Sequence, residues 1–578
     1  MRPRAPFAQL ALFVRCGMPQ LASALLASTL LAQAPPAPTD LRTRIETFSA
    51  DLQDLERRYD QPMSNARRTR VRERLQQEAQ ELAALDPTPL PRDGQIDRLL
   101  LQNHVQRALH QLDQEAAQDA ELTDLLPFAA TVTALGEARR RLEDVDAEAA
   151  AGTVQELAVA VQKSRDQARA GEFDARPAAV LQRAAQRCTA LQRALRAWFE
   201  FRDGYDPAFG WWVQSPWTAA DQALGELGEA LRQRGSKSGD ASLVGNPIGA
   251  AALQRELAFE WIPYTPAELI AIAEREFLWC DAEMQKASRV LGCGDDWRAA
   301  LEKVKQRHRA PGEQPALIRE LAHEAIAFLE ARDLVTIPPL AKECWRMSMM
   351  SRQAQRVNPF FLGGETIQVS FPTDAMSHPE KLQALRSNNE HFCRATVHHE
   401  LIPGHWLQQY SQARHRQYRA LFDTPFWIEG WALYWEMRLY DLGFAQGPED
   451  RIGMLYWRKH RCARIVFSLH FHLGTWTGPQ CVEYLIERVG HERAAAEGEV
   501  RRSVSGGYGP LYQAAYMLGG LQLRALHDEL VTPGSAWTER RFHDEVLRQN
   551  SVPMAAVRAA LRGDPVPQDL GGWRFADR

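Results

Sequence analysis

The residues with the most chemistry per unit length lie between Val397 and His405, in the stretch VHHELIPGH. It holds three histidines, one glutamate and a Pro-Gly pair. A common zinc-hydrolase pattern is H-E-x-x-H: histidines four apart on one helix face meet a single ion, and the glutamate works beside it. No two histidines here are four apart. On an unbroken helix His398 and His405 would point the same way but stand about 10.5 Å apart along the axis. Two ring nitrogens that must each lie about 2.1 Å from one ion cannot bridge that gap. His399 and His405 would diverge on a regular helix. Pro403 cannot donate to the helical ladder and disfavours helix at Ile402, while Gly404 is free of side-chain constraint. A local bulge at Pro-Gly can therefore absorb two extra residues and return His405 to the face of His399, with Glu400 beside the metal. Spacing alone leaves open the plainer reading of ordinary histidines near a helix end.

The helix feeding this cluster, KLQALRSNNEHFCRATVHHELI, places Leu385, Phe392, Ala395 and Thr396 on the face of His399. His391, Arg394 and His398 share another face. His399 is thus expected on the buried side. A third ligand is offered by WIEGWALYWEMRLY, Trp427 to Tyr440, where Glu429 follows His405 by 24 residues. A carboxylate on a second helix at such a distance is the arrangement of glutamate zincins. Gly430, without a side chain, is expected to let this helix press against the metal helix. Glu436 lies on the same face two turns on and reads as an exposed acid or one that supports a ligand from behind.

The elements around these residues are mostly helical. RVRERLQQEAQELAAL and AVLQRAAQRCTALQRALRAWFEF repeat apolar residues at three- and four-residue spacing. DPTPLPRDG, AGEFDARP and RDGYDPAFG supply the breaks. Thr265, ahead of Pro266 and Glu268, is a good N-cap. The clearest strand signal is ETIQVSF, Glu365 to Phe371, an edge that could hold an extended peptide beside the metal, with Val369 among its contacts. The expected division is a leader over 1–34, an N-terminal helical region over 35–240 and a catalytic region over 241–578, the last two free to form one continuous domain. RGSKSGDASLVGNPIG, Arg234 to Gly249, is the plausible boundary.

Composition narrows the partners. The 578 residues are 45% hydrophobic and 25% charged, with a formal net charge of -4. That gives no basic field for nucleic acid. Arg2, Arg4 and Arg15 precede LASALLASTLLAQA, which ends in Ala32-Gln33-Ala34, the pattern of an export signal; the alternative is the leader of a cytoplasmic protein. Beyond it no run of about 18 to 20 apolar residues offers a membrane anchor. Seven cysteines follow the leader, odd in number and scattered, so no disulfide framework is implied.

HHELIPGH followed by EGWALYWE resembles the signature of the bacterial domain-of-unknown-function 885 family, which is grouped with the zincin metallopeptidases. RCARIVFSLHFHLGTWTGPQCVEYL and GYGPLYQAAYMLGGLQL resemble two later segments of that family, and the likeness runs from about Leu243 onward. The resemblance implies a large helical zincin-like fold with a deep cleft and a small β element near the site. It implies one zinc ion on His399, His405 and Glu429, Glu400 as catalytic carboxylate, and Tyr516 and His472 near the metal. Arg464, from the arginine-bearing helix, and Tyr508 are candidate substrate contacts. Ser468 stands where the family carries aspartate and His470 where it carries glycine, which implies that an orienting carboxylate is missing. The expected activity is zinc-dependent hydrolysis of short peptides in the periplasm, Glu400 activating water. A hydrolase of other amides or esters is the alternative, and a degenerate helical binding protein the second. The sequence leaves the oligomeric state open.

Overall fold

Thr265 caps its helix as its residue type requires. Its hydroxyl accepts from the Glu268 amide, and the Glu268 carboxylate accepts from the Thr265 amide at 2.7 Å, starting the helix Pro266–Val290. In the computed structural model, the residues described are 40–235, 243–355, 361–504 and 507–577. The expected leader lies outside them, as does part of the expected boundary loop. The described residues are mainly α-helical, and no helix among them is long and apolar enough to cross a membrane.

Two hydrophobic cores form, and they do not divide at residue 240. Helices Arg42–Arg58, Asn65–Ala84 and Arg92–Ala120 bury Ile45, Phe48, Leu75 and Leu100 in the same core as Trp431 and Leu518. Ion pairs tie these early helices down. Arg419 Nε meets Asp97 Oδ1 at 2.8 Å, and Arg107 reaches Glu260 at 2.7 Å and Glu256 at 2.9 Å. The second core belongs to residues 122–231, where Trp198, Phe199 and Phe209 pack between helices and Phe199 stacks on Trp217 at 4.0 Å. Local pattern is alike in both sets of helices, so only these long-range contacts separate them.

The β element is smaller than expected and differently connected. Strand β1 (Arg346–Met349) pairs in parallel with β2 (Thr366–Val369), Met347 opposite Ile367. Gln368 and Leu362 exchange backbone hydrogen bonds of 2.8 and 3.1 Å on the other side of β2. β2 is therefore covered at that point, and Val369 is fully buried in the core. The rim that faces the candidate site is Phe361 to Gly363 instead.

Glycine sets the closest helix crossing. Gly430, on the helix Pro425–Asp441, meets Gly519, on Tyr512–Leu530; a Cβ on Gly430 would stand 2.6 Å from the Gly519 Cα, and one on Gly519 would collide with the Phe426 carbonyl oxygen. The expected partner of Gly430 was the histidine-bearing helix; its actual partner is this later one. Trp427, Trp431 and Trp435, four apart and fully buried, line the other flank. Gly519→Ala is predicted to cost about 2 kcal/mol or more, since overpacking between backbones finds no side chain to yield. Gly152→Ala, at a helical position with open space around it, should stabilise by about 0.5–1 kcal/mol. Urea midpoints of the two variants check both signs.

Candidate metal centre

The first ligand helix, Glu390–Glu400, starts at Asn389, whose side chain accepts from the His391 and Phe392 amides at 3.0 Å each. It stops at Glu400. Leu401 leaves helical geometry, a cis Ile402-Pro403 bond follows, and a new helix begins at His405. The Pro-Gly pair is thus a break between two helices and not a bulge within one. Gly404 is required by close approach: its amide donates to the His398 carbonyl at 3.0 Å, and a Cβ there would strike the His399 carbonyl oxygen. Trp431 holds the turn by donating its indole N–H to the Pro403 carbonyl at 2.7 Å.

This break brings the His399 and His405 rings to 4.8 Å, nearly perpendicular. Glu429 Oε2 stands 3.7 Å from His399 Nε2 and 3.3 Å from His405 Nε2. Tetrahedral ligands at about 2.0–2.1 Å from zinc are separated by about 3.3 Å, so these spacings suit one ion. Glu429 Oε2 is buried without a hydrogen-bond partner, the condition of an atom awaiting a cation. Burial alone would raise the Glu429 carboxyl, but His405 and His399 hold it well below its ordinary value. Among the described residues, these three form the one His/Cys/Asp/Glu group with ligand atoms all within 4.8 Å. The residues present fit the expected zinc.

Burial does not separate the two adjacent histidines. His398 is as buried as His399, but its ring packs edge-on against Phe444 at 5.7 Å and both its nitrogens lack partners. Burial depresses its pKa to about 3, so it stays neutral in the core. Direction, not exposure, selects His399.

Glu436 supplies the orienting carboxylate that the serine at 468 implied was absent. Its Oε1 lies 2.7 Å from His399 Nδ1 and 3.2 Å from Arg461 Nη2. Burial opposes its ionisation, yet Arg461 and His399 hold it at about 2. Ser468 turns to its own helix, toward the Ile465 carbonyl. The Gln408 amide lies 2.8 Å from His405 Nδ1, supporting the second ring from behind.

Glu400 faces the same cavity of about 270 Å³ as the three ligands. The rim closes tightly on it: a Cβ on Gly363 would stand 2.7 Å from the Glu400 Cα, and Gly364 donates its amide to the Glu400 carbonyl at 3.2 Å. Burial raises the Glu400 carboxyl, countered in part by the two histidines. Tyr516 lies parallel to the His399 ring at 6.3 Å. Tyr512, which sequence reasoning missed, donates its hydroxyl to Glu429 Oε1 at 2.5 Å. Its signal was present: Tyr508, Tyr512 and Tyr516 recur every four residues, and all three line the cavity. Arg464 lines it too, together with Arg461 and Arg502.

His472 and Val369 are not brought to the site. His472 ends the helix Pro448–His472, about 12 Å along the axis beyond Arg464, with its carbonyl accepting from the Gly249 amide. Burial lowers its pKa to about 4. A larger hollow, about 620 Å³, lies among the first three helices and contains none of these residues.

Glu436→Gln removes the negative charge behind His399 with little change of shape. Zinc affinity is predicted to fall about 10- to 100-fold, measured by competition with a chromophoric chelator. An unchanged affinity would exclude the orienting role.

Two solved structures share this fold. One is called a putative lipoprotein of unknown function from Shewanella oneidensis, with TM-score 0.65 and 17% identity, covering 89% of this chain and 98% of its own. The other is called a putative lipoprotein from Colwellia psychrerythraea, with TM-score 0.57 and 15% identity, covering 90% and 98%. No curated protein sequence matches the chain. Residues 46–561 match the family described as bacterial protein of unknown function (DUF885), and with most of its length so matched the chain belongs to that family.

Proposed function

We propose that the protein is a zinc-dependent hydrolase of zincin-like architecture that cleaves short peptides. The observation that carries this reading is the meeting of His399, His405 and Glu429 in one cavity with an adjacent half-buried carboxylate, Glu400. Two imidazoles and a carboxylate leave a divalent ion net positive, and zinc so held would polarise a carbonyl and acidify water.

The chain's own residues supply the remainder. Glu400 accepts the proton of the attacking water and delivers it to the departing nitrogen. Tyr516, kept protonated by burial that pushes its pKa up to about 12, donates to the oxygen that gains charge. Tyr512 holds Glu429 in place through its hydroxyl. The extended rim Phe361–Gly363 gives a peptide backbone something to lie along, which favours peptide over other amides and over esters.

Glu400→Gln is predicted to retain stoichiometric zinc while losing about 10²- to 10⁴-fold in peptide hydrolysis. A chelator should abolish wild-type turnover and added zinc restore it. Turnover by the glutamine variant would refute the role of Glu400, and absence of bound zinc would refute the hydrolase reading.

We also propose export to the periplasm, supported by the basic and apolar leader and by the description of the two structural relatives as putative lipoproteins. The N-terminus of protein isolated from its native cell should begin near residue 35. An intact Met1 in a cytoplasmic fraction would overturn this.

A further inference from the structure

Three guanidinium groups line the cavity, and the metal ligands account for only one of them. Arg461 supports Glu436. Arg464 is buried and grips Glu499 with two hydrogen bonds, Nε to Oε1 at 2.6 Å and Nη2 to Oε2 at 2.9 Å. Its third nitrogen, Nη1, is buried without a partner. Arg502 lies over the Tyr508 ring at 4.8 Å, and its Nε is likewise buried and unpartnered. Guanidinium N–H groups left without acceptors in a buried cavity are costly, and their planar fork matches a carboxylate.

Distance links these groups to the reaction centre. The Tyr516 ring lies 6.3 Å from that of His399, and Arg464 lies over the same Tyr516 ring at 4.4 Å. His399 and Arg464, whose Nη1 lacks an acceptor, are therefore two ring contacts apart. Extended chain advances about 3.3–3.6 Å per residue, so a carboxylate held at Arg464 leaves a carbonyl one or two residues upstream within reach of the triad.

We infer that Arg464 and Arg502 form a carboxylate subsite that holds the C-terminus of a short peptide, so that the bond cut is its last or next to last. This rests on the hydrolase reading above. Water adds across that amide: its hydroxyl joins the carbonyl carbon, the C–N bond breaks, and the nitrogen leaves with a proton as the amine of a free amino acid or dipeptide. The remaining peptide ends in a new carboxylate.

The test uses tetrapeptide mixtures made with free and with amidated C-termini. The zinc-loaded protein is given each mixture and the products are identified by mass spectrometry; equilibrium dialysis measures retention of each by the metal-free protein. Free acids should lose one or two C-terminal residues, amides should show KM raised at least about tenfold, and the metal-free protein should retain acids by a similar factor. Arg502→Gln should erase the preference in dialysis with an unchanged Tm. Arg464→Lys, which keeps a charge beside Glu499 but loses the fork, should weaken it without unfolding. Equal cleavage of amides, cuts at the first peptide bond, or cuts beside Asp or Glu regardless of amidation would overturn the C-terminal assignment. If neither mixture is cut, the hydrolase reading falls and dialysis alone decides: preferential retention of acids, removed by Arg502→Gln, upholds the carboxylate subsite, and equal retention ends it.

Discussion

Two glycines in contact, Gly430 and Gly519, fix the distance on which the site depends. One helix carries Glu429 one residue before its glycine; the other carries Tyr512 and Tyr516 less than two turns before its own. Backbone against backbone is the closest approach two helices can make, and it lets a tyrosine hydroxyl reach Glu429 directly. Any side chain at the crossing would lengthen that hydrogen bond and move Tyr516 away from the His399 ring. The buried tryptophans at 427, 431 and 435 occupy the flank that the glycines leave uncovered, and Trp431 fastens the turn between the two histidines. Packing and ligand geometry are therefore one arrangement seen at two scales.

Charge imposes the second constraint. Glu429, Glu436 and Glu499 are buried, and Glu400 half-buried, around a single cavity and its walls, a combination that desolvation forbids unless each is answered. Arg461 answers Glu436 and Arg464 answers Glu499, which burial would otherwise raise and the guanidinium holds at about 2. The histidines answer Glu429, as a metal ion would more fully. Among the described residues no guanidinium pairs with Glu400, and burial raises its carboxyl against the pull of His399 and His405. A group left short of compensation beside strongly paired neighbours has the environment of a proton carrier.

Much of this was legible in residue order, and the limits follow from range. The choice of His399 and His405 came from helical period and the backbone chemistry of Pro403 and Gly404, both local. Glu429 was marked by its place on a second helix, 24 residues after His405. What periodicity cannot say is which helix meets which: Gly430 announced a close approach without naming Gly519 as the partner. The same limit left Glu436 open between an exposed acid and one behind a ligand; its contact with His399 at 2.7 Å decides for the second. Arg346–Met349 is only four residues long, too short for its alternation of polar and apolar residues to stand out, and it is a strand through its pairing with Thr366–Val369. His472 was placed near the metal by likeness alone, and helix rise carries it out of range.

The tyrosine ladder connects these limits to function. Tyr508, Tyr512 and Tyr516 turn one helix face and its preceding loop into a wall running from the ligand triad toward Arg502. Burial raises the pKa of both inner tyrosines, so each remains a donor rather than an anion that would compete for the ion. At one end the wall holds a ligand, at the other it lies beneath a guanidinium. Neutral donors between a cation site and a cationic pocket leave charge complementarity to the two ends of the cavity. A bound molecule with a polarisable carbonyl at one end and a negative charge at the other satisfies both, and its length is set by two aromatic rings.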